Sequence, residues 1–126
     1  MKSVLVVDDA ELFRKILCRA LEADGVRAIP AANGQQALER VRLYRPQLVL
    51  LDLVMDGMDG FEVLRALRLD KQTAALPVIV LSATIDETVT QRALALGADR
   101  MLFKTRFAIG ELRELVREFL ASASAT

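Results

Sequence analysis

Four short apolar runs each end at a residue suited to phosphate or metal chemistry: VLVV at Asp8 and Asp9, LVLL at Asp52, VIVL at Ser82, and MLF at Lys104. Apolar runs of this length, bounded by polar or turn residues, mark strands buried on both faces, as in parallel sheets covered by helices above and below. Parallel strands bring their C-terminal ends to one edge. Three carboxylates, a hydroxyl and an ammonium then meet at the mouth of the sheet, where open α/β folds place their ligands.

Strand-like runs at 4–8, 26–31, 47–52, 78–82 and 100–103 alternate with helical patterns, as βαβ units do. The spacing predicts helices from about Glu11 to Ala23, Asn33 to Tyr44, Gly60 to Leu69, Asp86 to Leu96 and Ile109 to Leu120. Gly25 and Gly97 are placed to end the first and fourth helices, and Asn33 with Gln36 three residues on offers a cap for the second. The low-complexity tail ASASAT is expected to fray, which sets one domain at 1–121 and a flexible tail at 122–126. Arg27 and Pro30 send the second strand to an edge, because proline cannot donate to a ladder, and the short fifth strand suits the opposite edge. Right-handed crossovers then favour the order 2-1-3-4-5 in a parallel five-stranded sheet. Its switch point lies above Asp8, Asp9 and Asp52.

With 53% hydrophobic residues among 126, the chain has material for a single core. Seventeen basic and seventeen acidic residues cancel, so no net field draws it to nucleic acid or anionic lipid. No apolar run approaches a membrane span or a signal-peptide core, so the expected compartment is the cytoplasm and no membrane partner is expected. The lone Cys18 falls among apolar positions of the first helix and reads as packing. Histidine is absent, which removes Ser-His and Cys-His nucleophile pairs and imidazole metal ligands. Chemistry must run on carboxylates, lysine, hydroxyls and a metal.

Asp8, Asp9 and Asp52 would repel one another if left bare, and with Lys104 they leave a formal charge near minus two. A divalent cation cancels it. Mg²⁺ fits best, because it takes hard oxygen ligands and commonly joins one or two carboxylates to a phosphate; Mn²⁺ is the alternative ion. Ser82 and Lys104 supply a hydroxyl and a compact charge for a phosphoryl group, and Asp52, central on the edge, is the natural nucleophile. Structural roles stay open for each residue: Asp8 or Asp9 capping the first helix, Asp52 accepting from a turn, Ser82 satisfying loop backbone, Lys104 pairing with an aspartate.

The segments LVVDDAELFRKIL, LVLLDLVMDGMDGFEVL, PVIVLSA, GAD and MLFK closely resemble the receiver domain (CheY-like) of two-component response regulators over residues 2 to about 121. The resemblance implies a flavodoxin-like (βα)5 three-layer sandwich that accepts a phosphoryl group and is not an enzyme in the ordinary sense, although it assists its own phosphorylation and dephosphorylation. It implies that Asp52 is the phosphoacceptor, Asp9 and Asp52 direct Mg²⁺ ligands, Asp8 a ligand through water, and the Val54 carbonyl a further ligand. It matches Ser82 to a switch hydroxyl, Ala83 to the small residue that leaves the pocket open, and Lys104 to the family's lysine. It implies a histidine kinase or phosphotransfer protein as donor, and a downstream effector protein reading the surface of helix four, strand five and helix five. No cofactor beyond the metal, and no direct nucleic-acid contact, is implied. The assembly expected is a monomer or a weak dimer through that surface.

Three positions depart from the family pattern. Thr105 follows the lysine where proline is usual, so the peptide there is expected to be trans. Met101 stands where a switch aromatic is usual, and Asp56 replaces a proline after the phosphoacceptor and reads as a solvated turn residue. The altered switch positions Met101 and Thr105 raise an alternative, a receiver-like module that docks a partner regardless of phosphorylation. A haloacid-dehalogenase-like phosphatase would need a second acid at Val54, and a flavodoxin-like electron carrier would place a flavin phosphate against the acids of DDAELF.

Overall fold

Apolar runs without polar alternation are stable only where helices cover both faces of the sheet, and that requirement sets the architecture. In the computed structural model, which describes residues 1–55 and 57–124, strands and helices alternate throughout. They are β1 (Ser3–Val7), α1 (Glu11–Ala23), β2 (Arg27–Ala31), α2 (Gly34–Tyr44), β3 (Leu48–Asp52), α3 (Gly60–Leu69), β4 (Val78–Ser82), α4 (Glu87–Ala95), β5 (Arg100–Phe103) and α5 (Ile109–Ser124). Asp56, read above as a solvated turn residue, lies outside the described residues, as do the last two residues of the tail. The five strands form one parallel sheet in the order β2-β1-β3-β4-β5. Pro30 lies on the edge strand opposite Val6, as its missing donor requires. Every residue of β1, β3 and β4 is buried.

Strand periodicity divides those residues between two cores. Leu5, Val7, Val49, Leu51, Val78 and Val80 pack with Ala37, Val41, Val63, Leu64, Leu67 and Ala93 of α2, α3 and α4. Val4, Val6, Leu48, Leu50, Ile79 and Leu81 face the other way, onto Leu17 and Leu21 of α1 and Leu112, Leu115, Val116 and Leu120 of α5, with Cys18 packed alongside. By the same alternation Asp8, Asp52 and Lys104 belong to the α1/α5 side, and Ser82 and Met101 to the α2–α4 side. Among the described residues no helix is long and apolar enough to cross a membrane.

Local chemistry fixes the helix ends. Asn33 accepts from the Gln36 N–H at 2.9 Å, while the Gln36 side chain reaches back to the Ala32 N–H at 2.8 Å, one residue before the cap. Asp59 and Asp86 cap α3 and α4 through the N–H groups of Glu62 and Thr88 at 2.9 and 2.8 Å. Gly25 and Gly97 follow α1 and α4 with φ of +78° and +104°. The fifth helix runs to Ser124, past the end expected at Leu120. Alanine is the strongest helix former and the ASAS segment holds no glycine or proline to stop a turn, so its composition lets the helix continue.

Arg68 ties the edge of the sheet remote from the acidic residues. It donates to the carbonyls of Leu76 at 2.7 Å, Thr73 at 3.3 Å and Gly97 at 2.8 Å, and pairs with Asp99 at 3.1 Å. Asp99 in turn accepts from the Val78 N–H at 2.8 Å at the start of β4. One guanidinium thus joins α3, the loop into β4 and the loop into β5. Arg68→Met keeps the apolar stem and leaves those carbonyls unpaired. It is expected to lower stability by about 2 kcal/mol in urea unfolding, with an unchanged m-value.

Candidate functional site

Strand ends and one helix start assemble a charged pocket at the C-terminal edge of the sheet. Asp8 follows β1 and is fully buried, Asp52 ends β3 at 3% exposure, and Asp9 is exposed. Carboxylate oxygens of all three lie within 4.8 Å of one another. The residue after β5, Lys104, places Nζ 2.7 Å from Asp8 Oδ2 and 3.5 Å from Asp52 Oδ2. Its own N–H donates to the Ser82 carbonyl at 2.8 Å, extending the β4–β5 ladder by one rung beyond the strand.

The two buried carboxylates are held alike. Asp8 Oδ1 accepts from the Ala10 N–H at 2.9 Å, and Asp52 Oδ1 accepts from the Val54 N–H at 3.3 Å, each two residues on. Both Oδ2 atoms turn inward to the ammonium. The bond from Val54 is the turn role left open for Asp52, whereas neither Asp8 nor Asp9 caps α1, whose N-cap Ala10 has no side-chain cap. Arg14 adds a further tie, donating to the Asp8 carbonyl at 2.6 Å.

The pocket carries more negative charge than its one ammonium neutralises. Burial raises the Asp52 carboxyl to about 6, the Asp8 charge and the Asp9 charge add to the rise, and Lys104 and the Val54 N–H oppose it. Asp8 Oδ2 is buried, and its partner is the Lys104 ammonium at 2.7 Å, which Asp52 shares at 3.5 Å. Three convergent carboxylates that share one ammonium, one of them destabilised as an anion, form a donor set of hard oxygens that fits a divalent cation.

The remaining predicted residues take different positions. Val54 sits beside the pocket at 71% exposure, with its N–H on Asp52. Ser82 is buried, but its hydroxyl donates to the Thr84 carbonyl at 2.9 Å and accepts from the Thr84 N–H at 3.2 Å. That is the loop-backbone role left open for it. Ala83 is exposed at the start of the same loop. Met101 packs on the α2–α4 core, and Thr105 is exposed after a trans peptide.

Two residues had no role in the sequence reading. The Phe13 ring lies with its centroid 4.7 Å from Lys104 Nζ, and its position in the apolar stripe of the first helix carried no hint of that contact. Gly60 opens α3 against the backbone that carries the acid: a Cβ there would run into the Asp52 carbonyl oxygen and lie 2.6 Å from Leu53 Cα. The Gly60 N–H donates to the Leu53 carbonyl at 2.9 Å across the same gap. A glycine inside the motif DGMDGFEVL was the available signal.

Residues 4–117 match the family described as the response regulator receiver domain. KDP operon transcriptional regulatory protein KdpE of Escherichia coli is 43% identical over 126 residues, all of this chain and 54% of that protein. Sporulation initiation phosphotransferase F of Bacillus subtilis is 35% identical over 119 residues, 94% of each chain. The chain spans about half the length of most of the curated relatives it matches, 54% of KdpE and 52% of the phosphate regulon transcriptional regulatory protein PhoB of Pseudomonas aeruginosa. Among solved structures, the receiver domain of Francisella response regulator 1452 superposes with a TM-score of 0.88 at 29% identity, covering 98% of this chain and 99% of that one. Chemotaxis protein CheY4 of Vibrio cholerae gives 0.87 at 28% identity, covering 94% and 98%.

The charge imbalance has a thermodynamic signature. The folded Asp52 carboxyl titrates at about 6 against 3.8 unfolded, so its contribution to stability is full below pH 3.8 and is lost as pH rises through 6. Asp52→Asn cannot ionise. Without divalent cations the variant is expected to match the parent at acid pH and exceed it above pH 6, by about 1 to 3 kcal/mol in denaturant unfolding. Gly60→Ala is expected to cost about 1 to 3 kcal/mol at every pH by the same measurement, because the clash is steric.

Proposed function

Because the chain belongs to the response regulator receiver domain family, we propose that it is a phosphoacceptor of two-component signalling in which Asp52 receives a phosphoryl group from a phosphohistidine of a partner kinase or phosphotransfer protein. The observation that carries this reading is the convergence of Asp8, Asp9 and Asp52 on one ammonium at the sheet mouth. An Asp52 carboxylate oxygen attacks phosphorus, the P–N bond to the donor imidazole breaks, and that imidazole takes up a proton as it leaves. Asp9, Asp52 and the Val54 carbonyl would hold Mg²⁺, with Asp8 acting through water, and the ion would supply positive charge to the carboxylates and the phosphoryl oxygens.

The chain's own groups do the positioning. Lys104 stands 3.5 Å from Asp52 Oδ2, close enough to follow charge onto the transferred oxygens as they arrive. Ser82 must rotate its hydroxyl off the Thr84 carbonyl to donate to the same group. That rotation pulls on the loop into α4, the helix least anchored in the fold, since Ala93 is its one buried residue among nine. Phosphorylation therefore shifts a population of loop and helix positions and alters the surface of α4, β5 and α5 that an effector reads. Two relatives are named as transcriptional regulatory proteins, and each is about twice as long as this chain. Output through a further domain or a separate protein fits both lengths.

With Mg²⁺ and acetyl phosphate the protein is expected to gain the mass of one phosphoryl group, and Asp52→Asn to gain none. Removing Mg²⁺ with chelator should abolish the gain, and Lys104→Met should slow it by roughly tenfold to a hundredfold, both read by intact-mass spectrometry. Ser82→Ala is expected to accept the group while amide exchange in α4 stays at its unphosphorylated level. A faster exchange there, equal to that of the phosphorylated parent, would remove Ser82 from the proposed switch.

A further inference from the structure

Lys104 lacks the proline that usually follows this lysine in the family, and its peptide to Thr105 is trans. The neighbours of its ammonium are the side chains of Asp8, Asp52 and Phe13. The Lys104 side chain is 17% exposed, with Nζ 4.7 Å from the centroid of the Phe13 ring. Phe13 also meets Phe107 edge to face, with centroids 6.5 Å apart and planes at 70°. A single α1 side chain thus touches both ends of the 104–107 segment, the ammonium at its start and an aromatic ring at its end. Between them the Arg106 N–H donates to the Phe103 carbonyl at 2.9 Å, closing the segment into a turn.

We infer that Phe13 is a positioning residue for phosphoryl transfer: its ring face seats the Lys104 ammonium while that ammonium exchanges partners. The inference rests on the phosphoacceptor reading, in which Nζ leaves Asp8 and Asp52 for phosphoryl oxygens. Hydrogen bonds to carboxylates are directional and must break in that exchange, whereas attraction to an aromatic quadrupole holds a cation over a broad area of the ring. The seat persists when the partners change. Edge-to-face contact with Phe107 fixes the plane of the ring and thereby the side on which the cation sits. The polar neighbours of Nζ are Asp8 and Asp52, at 2.7 and 3.5 Å, so the ring supplies its apolar wall.

A fluorination series separates this role from packing. Phenylalanines carrying one, two and three ring fluorines, incorporated at position 13, keep the shape of the side chain while progressively removing the negative face of the ring. Phosphoryl gain from acetyl phosphate at saturating Mg²⁺ is expected to slow stepwise, by about tenfold across the series, with the Mg²⁺ concentration for half-maximal rate unchanged. Equal rates throughout overturn the inference, as does a shift in the Mg²⁺ requirement that accounts for the whole loss. Phe13→Tyr should retain the parental rate and Phe13→Leu should fall to that of the most fluorinated protein. A second arm uses Mg²⁺-free protein and no donor. The ε-methylene protons of Lys104 should be shifted upfield by the ring current in the parent and in Phe13→Tyr, and should return to the position of ordinary lysines in Phe13→Leu. A parent that shows the upfield shift but gains no phosphoryl group leaves the seat standing and defeats the phosphoacceptor reading. An unshifted parent defeats the seat whatever the phosphorylation result.

Discussion

One ammonium faces two buried carboxylates and cannot neutralise both. Lys104 lies closer to Asp8 than to Asp52, and the difference of 2.7 against 3.5 Å leaves the central acid the less compensated of the pair. The surrounding structure tolerates this because the sheet is anchored elsewhere: three strands with every residue buried hold the strand ends in register whatever their charges prefer. A site held short of positive charge by a rigid frame suits a divalent cation, which relieves an imbalance the frame cannot relax. The same frame makes loss of Lys104 costly, because it would strand the fully buried Asp8 without a counter-charge.

The fold was legible because its signals are local. Strand order followed from Pro30 and from the shortness of β5, and the caps at Asn33, Gly25 and Gly97 were readable from residue type alone. The convergence of Asp8, Asp9, Asp52 and Lys104 was legible for a related reason: four apolar runs of similar length must end at one edge once they are parallel. What sequence could not supply were contacts whose partners lie far apart in the chain. Phe13 reads as one more apolar residue of an amphipathic helix until the ring is found beneath an ammonium ninety-one positions on (104 less 13). Arg68 reads as a solvated charge until its guanidinium is seen bridging three segments. The end of α5 was missed for the opposite reason, because a composition that looks structureless is also one that a helix accepts.

Gly60 shows how tightly the acid's own loop is built. The N-terminus of α3 rests against the peptide that carries Asp52, so the carboxylate is backed by a helix and held at its tip by the Val54 N–H. On the other flank, Gly34 at the start of α2 approaches Met58 so closely that a Cβ would lie 2.7 Å from the Met58 carbonyl oxygen. Two glycines therefore let two helices close on the loop between β3 and α3. The pocket is flanked on this side by these close contacts at Leu53 and Met58. Its other rim, formed by the loop leading into α4, is fastened at Ser82 by two bonds to a single neighbouring residue.

The alternation of side chains along the strands has a geometric consequence for how such a molecule could carry a signal. The charges collect on the α1/α5 side of the sheet, whereas the lightly held helix α4 and Met101 lie on the far side. The sheet with its three fully buried strands stands between them, and a densely packed layer transmits little displacement straight through. Contact between the acids and α4 therefore runs around the rim, through the loop that follows β4. Ser82 ends the last interior strand with its side chain belonging to the far layer, while its carbonyl grips the Lys104 amide beside the acids. That one residue joins two compartments, by a hydrogen bond to the acid side and by the backbone of a single loop to the other.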